Sequence, residues 1–373
     1  MASRSLLNNG TYDGDANPVL QIAVTAGGIF SGYENGDVVV RDEGDVPVMS
    51  GQSIMDAAVA PAGSLVAVGG ADGYIRLWNP LAGSQIRLLR AGSPVASLSF
   101  SPAGSALAAA GPGQVTVWNP ARGRPERGLP VAGGQAVQAL QTGYSASGSF
   151  LAADIWPVSA TGPNPYIEVW ETRTWRPILT ITAPPAAPQA FALPPAGTSL
   201  AVTEGRVIQL WNLSTGKLTA QWPVSGDPGT LAFVPGTGGR LLVDGNSDGT
   251  VTEWDIVTHR PVRSLQGVFS EVHALGVSPD GTEVAVAGQD STISIYSLAD
   301  GSLFATLVGD AERINSLVFS RDGTRLLSTS GDGTAIWWNL SPSAVVSRLC
   351  QAVSGPALPA AWKQLAGATA SPC

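Results

Sequence analysis

Apolar and polar residues alternate along most of the chain in short runs, and turn formers interrupt every run before a third helical turn. Alternation with period two marks half-buried strands. One run recurs with the same cadence: β-branched residues in alternation, then an aromatic, then a small polar or acidic residue. It reads Ile75-Arg76-Leu77-Trp78-Asn79, Val115-Thr116-Val117-Trp118-Asn119, Ile167-Glu168-Val169-Trp170-Glu171 and Ile208-Gln209-Leu210-Trp211-Asn212. It returns as Val251-Thr252-Glu253-Trp254-Asp255, Ile293-Ser294-Ile295-Tyr296-Ser297 and Ala335-Ile336-Trp337-Trp338-Asn339. The aromatics stand 40, 52, 41, 43, 42 and 42 residues apart. An eighth copy, Val38-Val39-Val40-Arg41-Asp42, has Arg41 in the aromatic place.

Each run has a fixed setting. A tight turn precedes it, such as Ala71-Asp72-Gly73, Ser247-Asp248-Gly249 or Gly331-Asp332-Gly333, and Asp-Gly supplies the positive φ that short hairpins require. Before that come a second apolar strand, a second turn (Ser278-Pro279-Asp280-Gly281, Ser320-Arg321-Asp322-Gly323) and a first strand. A Gly-containing turn and a last strand follow. Four antiparallel strands per repeat make a sheet with two apolar faces, which only radial stacking of copies can bury. The expected fold is therefore an all-β propeller.

The unit resembles the WD-repeat family over residues 19–340: Ser-Pro-Asp-Gly after the first strand, Asp-Gly before the third, Trp-Asp or Trp-Asn ending the third. The resemblance implies four-stranded blades. The Gly-His that opens typical repeats is missing, and the only histidines are His259 and His273. The family's Asp–His–Ser/Thr–Trp hydrogen-bond network is thus expected to be abbreviated. Counting copies gives eight blades, the last lacking a fourth strand that residues 4–8 could supply. The alternative is seven blades with residues 19–51 as an irregular cap. Residues 1–18 then form a closing strand and connector.

Residues 341–373 change period. Ser341-Pro342 opens a helix in which Val345, Val346, Leu349, Cys350 and Val353 share a face, and a second short helix spans 359–366. This helical tail, with Trp362, is expected to dock on the propeller. Its Cys350, Trp362, Cys373 spacing resembles a tail that follows propellers in actinobacterial multidomain signalling proteins, although Ala361 replaces the usual Glu. Cys350 and Cys373 either stay reduced or bridge to clamp the tail; a reducing cytosol favours thiols.

Composition removes several classes. Gly 45 and Pro 28 make a fifth of the chain, charged residues 13% and hydrophobics 44%, which excludes an acidic disordered chain. The net charge of −8 with no basic stripe argues against nucleic acid. No apolar run reaches the length of a membrane span, and the first nine residues have no apolar signal core. A cytoplasmic monomer is expected.

Catalytic chemistry finds no footing. Two separated histidines make no Ser-His-Asp set, and Gly216-Lys217 runs into Leu218 rather than completing a phosphate loop. Asp13-Gly14-Asp15 lacks the later ligands of a calcium loop, and the cysteines have no metal-binding neighbours. No enzyme, cofactor or metal is expected. Six of the eleven tryptophans belong to the repeat; Trp156 does not. It falls in the one long insertion, residues 153–165, with Asp154 and Ile155, and apolar loop residues on a propeller face suit binding. Loops entering the next blade share that face and bring Arg90, Phe269, Glu271, Asp310, Glu312 and Arg313. The function these features point to is a platform for a protein or peptide partner, in bacterial signalling or defence by the tail resemblance. The competing readings are a propeller enzyme with a central-channel site and a small-molecule or glycan binder using Trp156 and Phe269.

Overall fold

The computed structural model describes residues 54–340 apart from 81–83, 133–136, 159–163, 183–187, 195–198, 266–270, 289–290 and 309–311, together with three strands within residues 19–41. Six four-stranded antiparallel meanders and one three-stranded one follow in order: blades 1 to 7 span residues 54–90, 97–130, 137–182, 188–223, 228–265, 274–308 and 314–339.

Seven apolar clusters join these blades pairwise. Ala67, Ile75 and Leu77 of blade 1 pack with Leu98, Leu107 and Trp118 of blade 2, and the same association links each blade to the next. The seventh cluster packs Leu327, Ala335 and Trp337 of blade 7 against Ile54, Val66 and Val68 of blade 1. Asn315 Nδ2 also donates to the Ile54 carbonyl at 2.8 Å. The ring closes there with seven blades, the alternative count, and not the eight expected first. Val19–Thr25, Gly28–Tyr33 and Val38–Arg41 form a regular three-stranded sheet outside the ring, not an irregular cap. The reason is legible in the aromatics. Trp118, Trp170, Trp254, Tyr296 and Trp338 each join the cluster shared with the preceding blade, and Arg41 cannot fill that place with apolar surface. The proposed closing strand at residues 4–8, the helical tail at 341–373, Trp362 and both cysteines lie outside the described residues.

The turns behave as their sequences require. Gly73, Gly249 and Gly333 take φ of 78°, 81° and 83°. The aspartates before them accept the backbone N–H two residues on, at 3.1 Å from Tyr74, 3.0 Å from Thr250 and 2.8 Å from Thr334. The indole network is short: Trp338 Nε1 donates to Ser328 Oγ at 2.9 Å, whereas Trp78 and Trp118 have no hydrogen bond at their indole nitrogens. Packing, not the missing histidines, holds the blades. The outer strands stay single because their edges are blunted: Pro125, Pro177 and Pro261 stand opposite Trp118, Trp170 and Trp254 at register breaks.

Candidate functional site

Residues at or just before the first strands of blades 1, 2, 3, 5, 6 and 7 line a central channel. Adjacent first strands are joined by side chains instead of a backbone ladder. Asp56 Oδ2 accepts the Leu98 N–H at 2.8 Å, Ser97 Oγ accepts the Thr142 N–H at 3.1 Å, and Ser99 Oγ accepts the Tyr144 N–H at 3.1 Å. Near the start of several of these strands the register slips by one residue, between Ile54 and Asp56, Ala139 and Gln141, Pro228 and Thr230, and Ile314 and Ser316. Such a bulge re-aims a side chain. The skipped residues Met55, Leu140, Gly229 and Asn315 line a central cavity of about 420 Å³, with Asp56, Asp154, Trp156 and His273.

Trp156 and Asp154 enter this cavity from a strand, not from the expected loop. Phe150–Pro157 is an eight-residue strand paired with Val137–Tyr144, so the insertion proper begins at Val158. Alternation along that strand explains the change: Leu151, Ala153 and Ile155 point into the cluster between blades 2 and 3. Ile155 is thereby fully buried and unavailable to a partner, against expectation. Asp154 is 3% exposed. Its Oδ2 accepts the Trp156 indole N–H at 2.6 Å, and its Oδ1 is buried without a hydrogen bond. Burial pushes the Asp154 carboxyl up to about 7, against the Trp156 indole and the Ile155 backbone N–H, both of which favour ionisation.

Asp56 is likewise raised by burial, opposed by the Leu98 N–H, the Ser316 and Ser97 hydroxyls and the Ala57 N–H. It is half-buried and lines the cavity. Burial also lowers His273, which Glu271 opposes from 3.8 Å and Arg313 reinforces. The His273 Nε2 is buried without a hydrogen bond. Among the described residues no three His, Cys, Asp or Glu side chains group to hold a metal, and no helix is long and apolar enough to cross a membrane.

Of the remaining candidates, Glu271 and Arg313 lie beside the cavity residues His273 and Asn315. Arg90 ends an outer strand and is exposed, as are Glu271, Glu312 and Arg313 at the entries to blades 6 and 7. Backbone bonds tie these entries to neighbouring turns: Val95 N–H to the Gly70 carbonyl, Val272 N–H to that of Asn246, and Gly331 N–H to that of Arg313. Arg313 donates to Asn315 Oδ1 at 3.2 Å. Phe269 and Asp310 lie outside the described residues. Sequence reading missed Met55, Asp56, His273 and Asn315; at Met55 and Asn315 a bulge re-aims the side chain at the channel.

A ring of antiparallel meanders defines a β-propeller, and comparison with known proteins finds WD repeats within it. Residues 46–79, 83–119, 259–297 and 301–339 match the WD domain, G-beta repeat. A stretch of 155 residues, 40% of the chain, is 32% identical to transducin beta-like protein 3 of Rattus norvegicus and covers 19% of that protein. WD repeat-containing protein SL1-17 of Schistosoma mansoni is 35% identical over 128 residues, 34% of this chain and 41% of its own. Small ribosomal subunit protein RACK1y of Oryza sativa subsp. japonica is 31% identical over 107 residues, 29% of this chain and 32% of its own. The chain thus spans between about a fifth and two-fifths of the length of these relatives. Four places in the chain are WD40 repeats, and its relatives are WD-repeat proteins. Propellers of this class are in general non-catalytic scaffolds that bind protein partners.

Proposed function

We propose that the chain is a protein-interaction platform whose partner docks on the face carrying the channel mouth and the insertion after Val158. One observation carries this reading: blade 3 alone departs from the repeat there, with two eight-residue strands, an indole and a carboxylate at the channel, and an exposed Val158. Irregular features on a rigid scaffold are where binding residues concentrate. Arg90, Glu271 and Arg313 form the polar rim of that face, with Trp156, Asp154 and Leu140 at its centre. A sensor or scaffold role in bacterial signalling or defence, at work in the cytoplasm, is the finer form of the proposal; it rests on the tail resemblance.

The test is affinity capture with the wild-type chain, followed by calorimetry on two charge-reversal variants. Arg90→Glu with Arg313→Glu alters the rim of this face; Arg321→Glu with Asp300→Arg alters the turns of the opposite face. The first pair should weaken the captured partner at least tenfold and the second should not. The opposite pattern would move the docking surface to the other face.

A further inference from the structure

The channel mouth holds one carboxylate that the propeller itself does not require. Asp154 stands opposite Gln141 where the first two strands of blade 3 pair. The equivalent place holds Gly69, Ala110, Gly245, Ala287 and Thr329 in blades 1, 2, 5, 6 and 7. Five blades therefore build the same hairpin with a small, uncharged residue. A buried carboxylate with an open acceptor is costly in a fold that could do without it, and Asp154 Oδ1 is such an acceptor.

The surroundings specify what would complete it. The cavity lining contains a second carboxylate, Asp56, and no Lys or Arg. His273 is held toward its neutral form by burial. Met55, Leu140 and Trp156 supply thioether, aliphatic and indole surface. Two carboxylates without an internal cation repel anions. A metal ion would need more ligands than the described residues gather. Apolar walls beside a carboxylate suit a cation on a carbon stem, and an indole adds cation–π attraction. The volume of about 420 Å³ is within the range of small-ligand pockets.

We propose that the channel mouth binds an organic cation, a guanidinium or alkylammonium group, with Asp154 as its counter-ion and Trp156 and Leu140 along its stem. Where the cation is a side chain of the docked partner, this rests on the platform reading above; a free amine or guanidine has the same chemistry.

The proposal carries a pH signature. With the Asp154 carboxyl at about 7, its ionised, binding-competent fraction rises about tenfold from pH 6 to pH 8, and the apparent affinity rises with it. The groups facing Asp154 are few. Tyr144, Tyr166 and Glu168 stand opposite Leu151, Ile155 and Ala153, so all three lie on the other side of the sheet, toward blade 2. The first strand of blade 4, Pro188–Ala192, has no titratable side chain. Across the cavity stand Asp56 and His273, the latter with Glu271 beside it.

The experiment is calorimetric titration of the full chain with acetyl-arginine amide, acetyl-lysine amide and the uncharged isostere acetyl-citrulline amide, at pH 6 and pH 8. At least one cationic amide should bind tenfold or more tighter than citrulline amide at pH 8, about tenfold tighter at pH 8 than at pH 6, and Asp154→Asn should erase both differences. Equal binding of citrulline amide, or no binding of either cation, overturns the proposal. The charged-against-isostere comparison on the wild type stands even if Asp154→Asn fails to fold. Full competition by n-butylguanidinium would identify a free small cation as sufficient. A further tenfold gain with Gly-Arg-Gly would identify a polypeptide source. If the cations fail to bind while a captured partner still responds to the Arg90 and Arg313 changes, the channel proposal falls and the platform reading stands.

Discussion

Replacing Asp154 with asparagine should cost the propeller most stability in mild acid and least in mild base. The carboxyl is raised by burial from 3.8 in the open chain to about 7 in the fold. A raised carboxylate stabilises the fold fully only below its unfolded value, because the unfolded chain then gains nothing by ionising. As pH rises from about 4 through 7, the unfolded state releases this proton and the folded state resists, so stability is lost. Linkage between those two values makes the loss roughly 2 to 3 kcal/mol between pH 5 and pH 8. The asparagine side chain would keep the shape and the acceptor for Trp156 but place an amide N–H₂ where Oδ1 has no partner. That unpaired donor costs about 1–3 kcal/mol at every pH. The variant's deficit should therefore be largest at pH 5 and shrink or reverse by pH 8. Urea unfolding of both proteins at the two pH values measures it. The difference of differences cancels the other raised carboxyls, Asp56, Glu168 and Asp244 among them. A deficit that is the same at pH 5 and pH 8 would show that Asp154 ionises normally, and the account of it as a buried, under-bonded group would fail.

Ser328→Ala leaves the Trp338 indole N–H without its acceptor in a buried setting, and should destabilise by about 1–3 kcal/mol in urea unfolding. Trp338→Ala should destabilise by about 3–5 kcal/mol through the cavity it opens between blades 6 and 7, whereas Arg41→Ala, outside the ring, should leave the melting temperature where it was; a large effect of the second would restore an eighth blade. Deleting residues 1–10 tests whether the N-terminal segment supplies the fourth strand of blade 7. The expected outcome is a melting temperature lower by several degrees, and an unchanged curve removes the segment from that role.

The blades were legible because spacing, turn chemistry and third-strand aromatics say the same thing in seven places. Their number was not. Val38-Val39-Val40-Arg41-Asp42 keeps the alternation and the terminal Asp of a repeat, so a pattern of strands counts it. Membership of the ring depends instead on the aromatic that reaches the preceding blade, as Trp118 reaches the cluster of Leu77 and Leu89. Alternation makes a strand; only the aromatic makes it a neighbour. The departure from the repeat at Asp154 and Trp156 was equally visible, but its setting was not. Leu151, Ala153 and Ile155 carry the alternation two residues at a time into what has the composition of a loop, and their partner strand Val137–Tyr144 is long enough to pair with them.

The channel was the part sequence could not place, and its physics explains why. A period-two reading assigns every residue of a strand to one of two faces, and a bulge breaks that assignment at one point without a compositional mark. Met55, Leu140, Gly229 and Asn315 occupy the same skipped place in four blades, and they share no side-chain chemistry. That diversity is itself informative. Side chains that join one inner strand to the next, such as Asp56, Ser97 and Ser99, are held to hydrogen-bonding residues by the ring. The position of Asp154 is under no such demand, since glycine, alanine and threonine serve there in other blades, and of the four skipped residues Asn315 alone is tied to the neighbouring first strand by its side chain. Chemistry at the channel mouth can thus vary without disturbing the blades, and a charged group there has to be explained by what it meets from outside.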